Sequence, residues 1–418
     1  MIGKNVAPRF QCLEVSVKSP PIATKNDPES ADTKVRPTRN PRSAGNNAGG
    51  SQITALAKLL GGRRFGLVAH AASVDELGAP VADRLRAECG DALAALFSPE
   101  HGYFGVAGAG EKVASLRHPV WNIPIHSLYG KTRRPAPAML RGLEALVFDL
   151  RTLSIRCYTY VSTLRYLLEA AAAQRLPVIV LDQTNPLDAV ADGPMLDSRF
   201  ESFVGNFPGP LVYGLTTGEA AHRLAASLRL RLDLTIMAHG GGNRADTGHR
   251  WISPSPGIRN PHTARCYPVT VGFEALPAID YGRQTLTPFE LIGARDLDET
   301  EWAKRLAAHE LPGIAFHPVI YENRGAVWRG VRIAVTQPSA YAPVRAAVTV
   351  LYELQRLLGI GRLWRSPGSR PAFFDRLYGT DTVRRALLAG QHPGAIANAW
   401  RNDLRRWRAA HPRLKDLA

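Results

Sequence analysis

Cysteine, long apolar runs and acidic residues are all scarce in this chain, and each shortage closes off a class of protein. The four cysteines, Cys12, Cys89, Cys157 and Cys266, are scattered and form no CxxC pair. Neither a disulfide framework nor a zinc site is expected, and the thiols read as free groups in a reducing compartment. No tight His/Cys/Asp cluster stands at ligand spacing, so no metal and no organic cofactor is implied. No run of about 18 apolar residues occurs, which excludes a predicted membrane span. The N-terminus lacks the apolar core of a secretory signal and is rich in Pro, Asn, Ser and Lys. Residues 1–50 therefore read as a disordered leader. As written, the sequence reads as cytoplasmic; a mis-called start codon would leave export open. Acid is outnumbered, with 36 Asp and Glu against 52 Lys and Arg, a formal charge of +16. Much of the excess sits in the leader and in an Arg-rich tail from Arg362 to Lys415. No RNP, zinc-finger or P-loop pattern accompanies it, so no specific nucleic-acid partner is expected. A substrate that is polyanionic or carries a carboxylate is a better use of the charge.

What the chain does have is core. Of its 418 residues, 45% are hydrophobic, enough for two or three domains. Short, continuously apolar runs at 64–69 (RFGLVA), 92–97 (ALAALF), 145–150 (ALVFDL) and 177–181 (PVIVL) read as buried strands. Helical patterns at 52–60, 81–89, 138–143, 162–174 and 216–228 alternate with them, the last capped by Thr216 or Thr217. That alternation predicts an α/β fold: a Rossmann-like, doubly wound parallel sheet covered on both faces. The GxGxxG fingerprint is missing after the first strand, and GVAGAGEK at 105–112 lacks a P-loop ending, so no nucleotide site is predicted. The rhythm changes near Leu232. Short strands at 234–238, 314–319 and 331–335 mix with Pro-rich loops, and helices follow near 344–358, 382–389 and 394–411. The expected division is a Rossmann-like lobe over 51–231, carrying the active site, and a second α+β auxiliary lobe over 232–418. In the last helix Trp400, Leu404 and Trp407 share one face and read as core.

In an open parallel sheet the ligand sits outside the carboxyl ends of the strands. The first strand leads to His70, the second to Glu100 and His101, the third ends in Asp149, and the fourth leads to Asp182 and Asn185. Separate segments thus deliver carboxylates and imidazoles toward one rim. Glu100 is the leading candidate, because it follows Pro99 in a loop and precedes Gly102, where a ligand can approach the backbone. For each of these residues a purely structural role, as cap, turn or satisfied histidine, is the competing reading.

Several segments then fall into one collinear pattern. They are FSPEHGYFGVAGAGEKV (97–113), IPIHSLYGKTRRPAPAML (123–140), RCYTYVSTL (156–164), VLDQTNPL (180–187), DGPMLDSRFESFVG (192–205), YGLTTGE (213–219), DTGHRWISPSP (246–256), TPFELIGA (287–294) and FDRLYGTD (374–381). In this order they resemble the NamZ-type exo-β-N-acetylmuramidases, which trim amino sugars from peptidoglycan fragments. The likeness runs from about Gln52 to the C-terminus. It implies an exo-acting glycoside hydrolase that binds a terminal N-acetylmuramic acid in a cleft between the two lobes, so the implied partner is a small carbohydrate. It carries over Glu100 and His101 as site residues, with Asp149 as a further catalytic candidate. Glu111 and Lys112 fall in the matching Gly-Glu-Lys, and Arg156, Asn185, Glu274 and Arg283 lie at matching positions.

Glycoside hydrolysis needs two carboxyl groups, one to protonate the leaving oxygen and one to act as base or nucleophile. Glu100 is expected to be one of them. The sequence departs from the family where it has His70 for an Asn, Arg151 and Thr152 for a Gln-Asp pair, Ser154 for a Gly, and FEALPAIDYGRQT at 273–285. These departures leave a second reading open, a catalytically degenerate paralogue that binds muropeptides.

Overall fold

A computed structural model describes residues 35–37, 48–75, 77–238 and 251–411. Apart from 35–37 and 48–50, the expected leader lies outside the described residues, as do 246–250 of the DTGHRWISPSP segment. The short strand β1 (Val35–Pro37) and helix α1 (Ala48–Leu60) open the described chain. The helix therefore begins earlier than the expected 52–60.

The predicted βαβ rhythm is present. β2 (Phe65–Ala69), α2 (Val81–Cys89), β3 (Leu93–Ser98), the two-residue β4 (Leu116–Arg117) and β5 (Pro124–Ser127) come first. The short α3 (Pro137–Leu140), β6 (Ala145–Asp149), α4 (Tyr160–Gln174) and β7 (Val178–Asp182) follow. An antiparallel pair, β8 (Ala191–Met195) and β9 (Pro210–Tyr213), precedes α5 (Thr217–Ser227) and β10 (Leu234–Ala238). Thr216 caps α5 in a complete capping box with Glu219, which satisfies orphan N–H groups at the helix start.

The eight-stranded sheet has the order β1-β10-β7-β6-β2-β3-β5-β4 and is parallel except for β4. Strand β10, expected to open the second lobe, instead pairs in parallel with β7 and belongs to this sheet. From β2 the chain steps outward to β3 and β5, then returns to the other side of β2 with β6, β7 and β10. The topological switch point therefore lies between β2 and β6. Both strands are buried along their whole length, as expected for a parallel sheet covered on both faces. One face packs Phe65, Leu67, Val81 and Leu85 under α1 and α2. The other contributes Phe97, Phe148 and Val180 to a larger core.

That larger core runs on without a break into the remaining elements. These are α6 (Pro261–Thr270), β11 (Leu291–Ala294), α7 (Glu299–Ala307), the hairpin β12 (Ile314–Asn323) and β13 (Ala326–Val335), and the helices α8 (Pro343–Trp364), α9 (Pro371–Tyr378), α10 (Thr382–Leu388), α11 (Pro393–Asn398) and α12 (Arg401–Ala409). The sheet β11-β13-β12 is antiparallel. Its hairpin strands are each ten residues long, about twice the expected runs. The outer half of the hairpin is largely exposed and contains Pro318, so its apolar signal is weak. Trp400, Leu404 and Trp407 are buried together, as their spacing predicted. Among the described residues no helix is long and apolar enough to cross a membrane.

Candidate active site

The six residues that the sequence placed on the sheet's carboxyl rim have different fates. His70 and Asp149 flank the switch point, where a Rossmann-like sheet usually binds its ligand. Here that crevice is filled from within. Arg151 threads into it, donating from Nε to the Ala72 carbonyl at 2.7 Å and from Nη2 to the Val74 carbonyl at 3.1 Å. Its backbone N–H donates to His70 Nε2 at 3.3 Å. Asp149 is 0% exposed and accepts from Gln183 Nε2 at 2.7 Å. The expectation of a catalytic Asp149 is therefore corrected: a carboxylate with no accessible surface beside a buried guanidinium does not reach a sugar. Burial, then the Arg151 charge, then His101 push His70 down to about 3, so it is neutral and serves the core rather than carrying protons.

Asp182 and Asn185 are also structural. Asp182 accepts from the Gly218 N–H at 2.7 Å and from Thr216 Oγ1 at 3.1 Å, anchoring the start of α5. Asn185 is buried and accepts from the backbone N–H groups of Ser154 and Leu187. Arg156 is fully buried, donating to the Gly209 carbonyl at 2.7 Å and the Tyr378 carbonyl at 2.5 Å, and so ties β9 to the end of α9. Burial lowers its guanidinium to about 9. None of these side chains is placed to hold a substrate.

Glu100 keeps its place. The chain leaves β3 through Ser98-Pro99 and turns with His101, Gly102, Gly105 and Gly110 all at positive φ. His101 pays a steric cost there that glycine does not. The loop folds back so that the Gly110 N–H donates to Glu100 Oε1 at 2.7 Å. Thr159 Oγ1 donates to Oε2, also at 2.7 Å. Tyr160 donates to the Glu100 carbonyl at 3.4 Å. The Tyr129 hydroxyl faces the same carboxylate, and burial followed by the Glu100 charge pushes it up to about 12. The carboxylate is thus oriented from both oxygens. His101 donates from Nδ1 to the Ala107 carbonyl at 2.8 Å, and exposed Glu111 accepts from the Gly108 N–H at 2.7 Å. Both brace the loop. Lys112 is exposed beside them.

The acid that answers Glu100 comes from the far part of the chain. Glu274 lies in a 3₁₀ turn directly after α6. Its side chain is 24% exposed, and Arg283 Nη1 stands 4.0 Å from Oε1. Burial raises the Glu274 carboxyl above its ordinary value; the Arg283 charge works against this, the Glu100 charge adds to it, and Arg370 opposes it more weakly. The residue expected to bind substrate is therefore the one whose protonated form the site favours. A chain of packed rings links Tyr160, bonded to the Glu100 carbonyl, to Tyr281, bonded to Arg283. Tyr158 stands edge-on to Tyr160 at 5.0 Å and to Tyr267 at 6.1 Å. Tyr267 stands edge-on to Phe289 at 5.0 Å, and Phe289 stacks on Tyr281 at 5.7 Å. Both Glu274 and Glu100 raise Tyr267, after burial and Cys157.

The family model for the N-terminal part of exo-β-N-acetylmuramidase NamZ matches residues 65–262, and the model for its C-terminal part matches 265–414. The chain belongs to the NamZ exo-β-N-acetylmuramidase family, a family of glycoside hydrolases. The peptidoglycan β-N-acetylmuramidase NamZ of Bacillus subtilis strain 168 is 33% identical over 360 residues, covering 84% of this chain and 86% of that protein. A crystal structure of a DUF1343 family protein from Bacteroides fragilis matches with a TM-score of 0.77 at 28% identity, covering 85% of this chain and 95% of that one. A second from the same organism gives 0.69 at 24% identity over 88% and 97%, and speaks for the fold alone.

Within the NamZ family frame, the departures in the first lobe fall into one layer, while those at 273–285 lie around Glu274 and Arg283. Thr152 Oγ1 bonds Thr217 Oγ1 at 2.8 Å, and Ser154 Oγ donates to the Leu215 carbonyl. Together with His70 and Arg151 they form the buried filling of the switch point, with their polar groups paired inside the protein. Sequence reasoning missed Tyr129, Thr159, Tyr267, Tyr281 and Arg370. Tyr129 and Thr159 lie inside segments that carry the family likeness, but nothing in their spacing gives them a role.

Proposed function

We propose that this protein is an exo-acting β-N-acetylmuramidase that releases terminal N-acetylmuramic acid from peptidoglycan fragments, using Glu100 and Glu274 as its two carboxyl groups. One observation carries the reading. Glu100 is oriented by donors on both oxygens, and its charge adds to burial in raising the proton affinity of Glu274. Environments that differ in this way give two carboxyl groups different tasks. Glu274, protonated more readily than an ordinary glutamate, supplies the proton to the leaving oxygen. Glu100 acts at the anomeric carbon as base or nucleophile, and its fixed rotamer keeps one oxygen directed there. The degenerate, binding-only reading rested on the altered residues at His70, Arg151, Thr152 and Ser154 and on the altered segment 273–285. His70, Arg151, Thr152 and Ser154 are buried with their polar groups bonded inside the protein, whereas the segment 273–285 retains Glu274 and Arg283; turnover separates the two readings.

The test is hydrolysis of a disaccharide with N-acetylmuramic acid at its non-reducing end. Removing a positioned acid or base typically costs about 10²–10⁴-fold in rate, so Glu100→Gln is expected to lose at least about a hundredfold in kcat. Full activity in that variant overturns the assignment. Tight sugar binding by the wild type with no turnover at any pH replaces the hydrolase with the binding-only paralogue.

A further inference from the structure

Two arginines, Arg283 and Arg370, flank Glu274, and a third, Arg324, acts on the neighbouring Tyr281. Arg283 approaches Glu274 at 4.0 Å and donates to the Tyr281 hydroxyl at 3.3 Å. Arg370 lies over the Phe373 ring at 4.6 Å and donates to the Glu274 backbone carbonyl at 2.6 Å. Its charge is therefore beside the carboxyl group and not paired with it. Arg324 comes from elsewhere, the turn of the β12–β13 hairpin. That turn is fastened to the same segment: Tyr321 donates to Asp280 Oδ1 at 2.8 Å and Asn323 Nδ2 to Oδ2 at 2.7 Å. Asp280 immediately precedes Tyr281, and the Arg324 charge acts on the Tyr281 hydroxyl.

Nothing structural explains an arginine at position 324. Its φ is +56° and that of Gly325 is +67°, a turn in which Asn or Gly is the unstrained choice. The guanidinium is exposed, and among the described residues it makes no hydrogen bond or ion pair. A strained backbone thus carries an uncommitted cation on a hairpin anchored to Asp280, whose neighbour Tyr281 accepts from Arg283.

We propose that Arg283 and Arg324 form a carboxylate-binding rim, with Arg370 adding to its field, and that Arg324 decides which amino sugar the site accepts. The ligand chemistry is a carboxylate on an ether side arm of the pyranose, the lactyl group of muramic acid, which N-acetylglucosamine lacks. The inference rests on the proposed hydrolase reading and names the contact that makes it selective. A planar guanidinium fork matches a carboxylate with charge-assisted hydrogen bonds, and two forks from different segments fix the sugar's orientation.

The experiment is calorimetric binding to Glu100→Gln, which holds sugars without turning them over. The probes are N-acetylmuramic acid, its methyl ester and N-acetylglucosamine. The free acid is expected to bind about tenfold or more tighter than the other two, the worth of one charge-assisted contact. Arg324→Asn, which keeps the left-handed turn, is expected to erase most of that advantage and leave N-acetylglucosamine unchanged. Arg324→Lys is expected to keep part of it. In the otherwise wild-type enzyme, Arg324→Asn is expected to raise KM for a fluorogenic muramide with little change in kcat. Equal binding of acid and ester, or equal weakening of all three sugars by Arg324→Asn, overturns the rim and leaves the hydrolase standing. No binding of any probe, together with no cleavage of a muramic-acid-terminated disaccharide by the wild type, sinks the hydrolase reading itself.

Discussion

The Glu100 charge raises the proton affinity of Glu274, although the two residues are 174 positions apart (274 − 100) and come from different sheets' connections. Burial is the larger cause, and Arg283 pulls in the opposite direction. This division of labour makes the roles of the two acids separable by experiment.

A general acid matters only when the leaving group needs a proton. Glu274→Gln is expected to lose about a hundredfold or more in kcat/KM on the natural disaccharide. On a dinitrophenyl muramide, whose leaving group departs unprotonated, the loss should shrink to a few-fold. Equal losses on both substrates would give the proton to another residue.

The pH profile should follow the same group. With Glu274 as acid, activity falls as pH rises through its carboxyl pKa, which lies above the ordinary 4.5. Arg283 lowers that pKa, so Arg283→Gln is expected to move the alkaline limb of kcat/KM to higher pH. A shift to lower pH contradicts the assignment.

Stability carries the opposite signature. A carboxyl whose folded pKa is raised stabilises the fold below its unfolded value, and that contribution is lost as pH rises through the folded value. At neutral pH the ionised Glu274 is therefore a burden, and Glu274→Gln should melt higher than wild type. The gain should disappear at pH 4 and below, which thermal melts across pH 4–8 will read.

Thr159 and Asp149 separate orientation from packing. Thr159→Val removes the donor to Glu100 Oε2 and keeps the side chain's shape; kcat should fall about tenfold with little change in melting temperature. Asp149→Asn disturbs a buried carboxylate that accepts from Gln183. It should cost about 1–3 kcal/mol of stability, while the folded enzyme keeps the wild-type pH profile. A lost or shifted profile in Asp149→Asn would return that residue to the chemistry.

Much of the first sheet was legible because its strands are short, apolar and separated by helix-period segments: FGLVA at β2 and ALVFD at β6 allow only a doubly buried parallel sheet. Glu100 was legible for the same reason, since a strand followed by Pro, an acid and Gly places a carboxylate at a sheet rim. The same logic misplaced Asp149. An acid at a strand end reads alike whether the crevice beyond it is open or filled, and only packing revealed that Arg151 fills it. β10 was assigned to the wrong sheet because its run, LTIMA, says strand but not which neighbour it pairs with.

By itself, then, the sequence determined the α/β class, the family and the rim position of Glu100, because local periodicity and turn chemistry are written in neighbouring residues. Tertiary structure alone decided that Glu274 comes within reach of the Glu100 charge, which expected site residues are buried, and that the β12–β13 hairpin is tied to Asp280 beside Tyr281. Those relations depend on contacts between residues tens to hundreds of positions apart, and no local pattern encodes the distance between them.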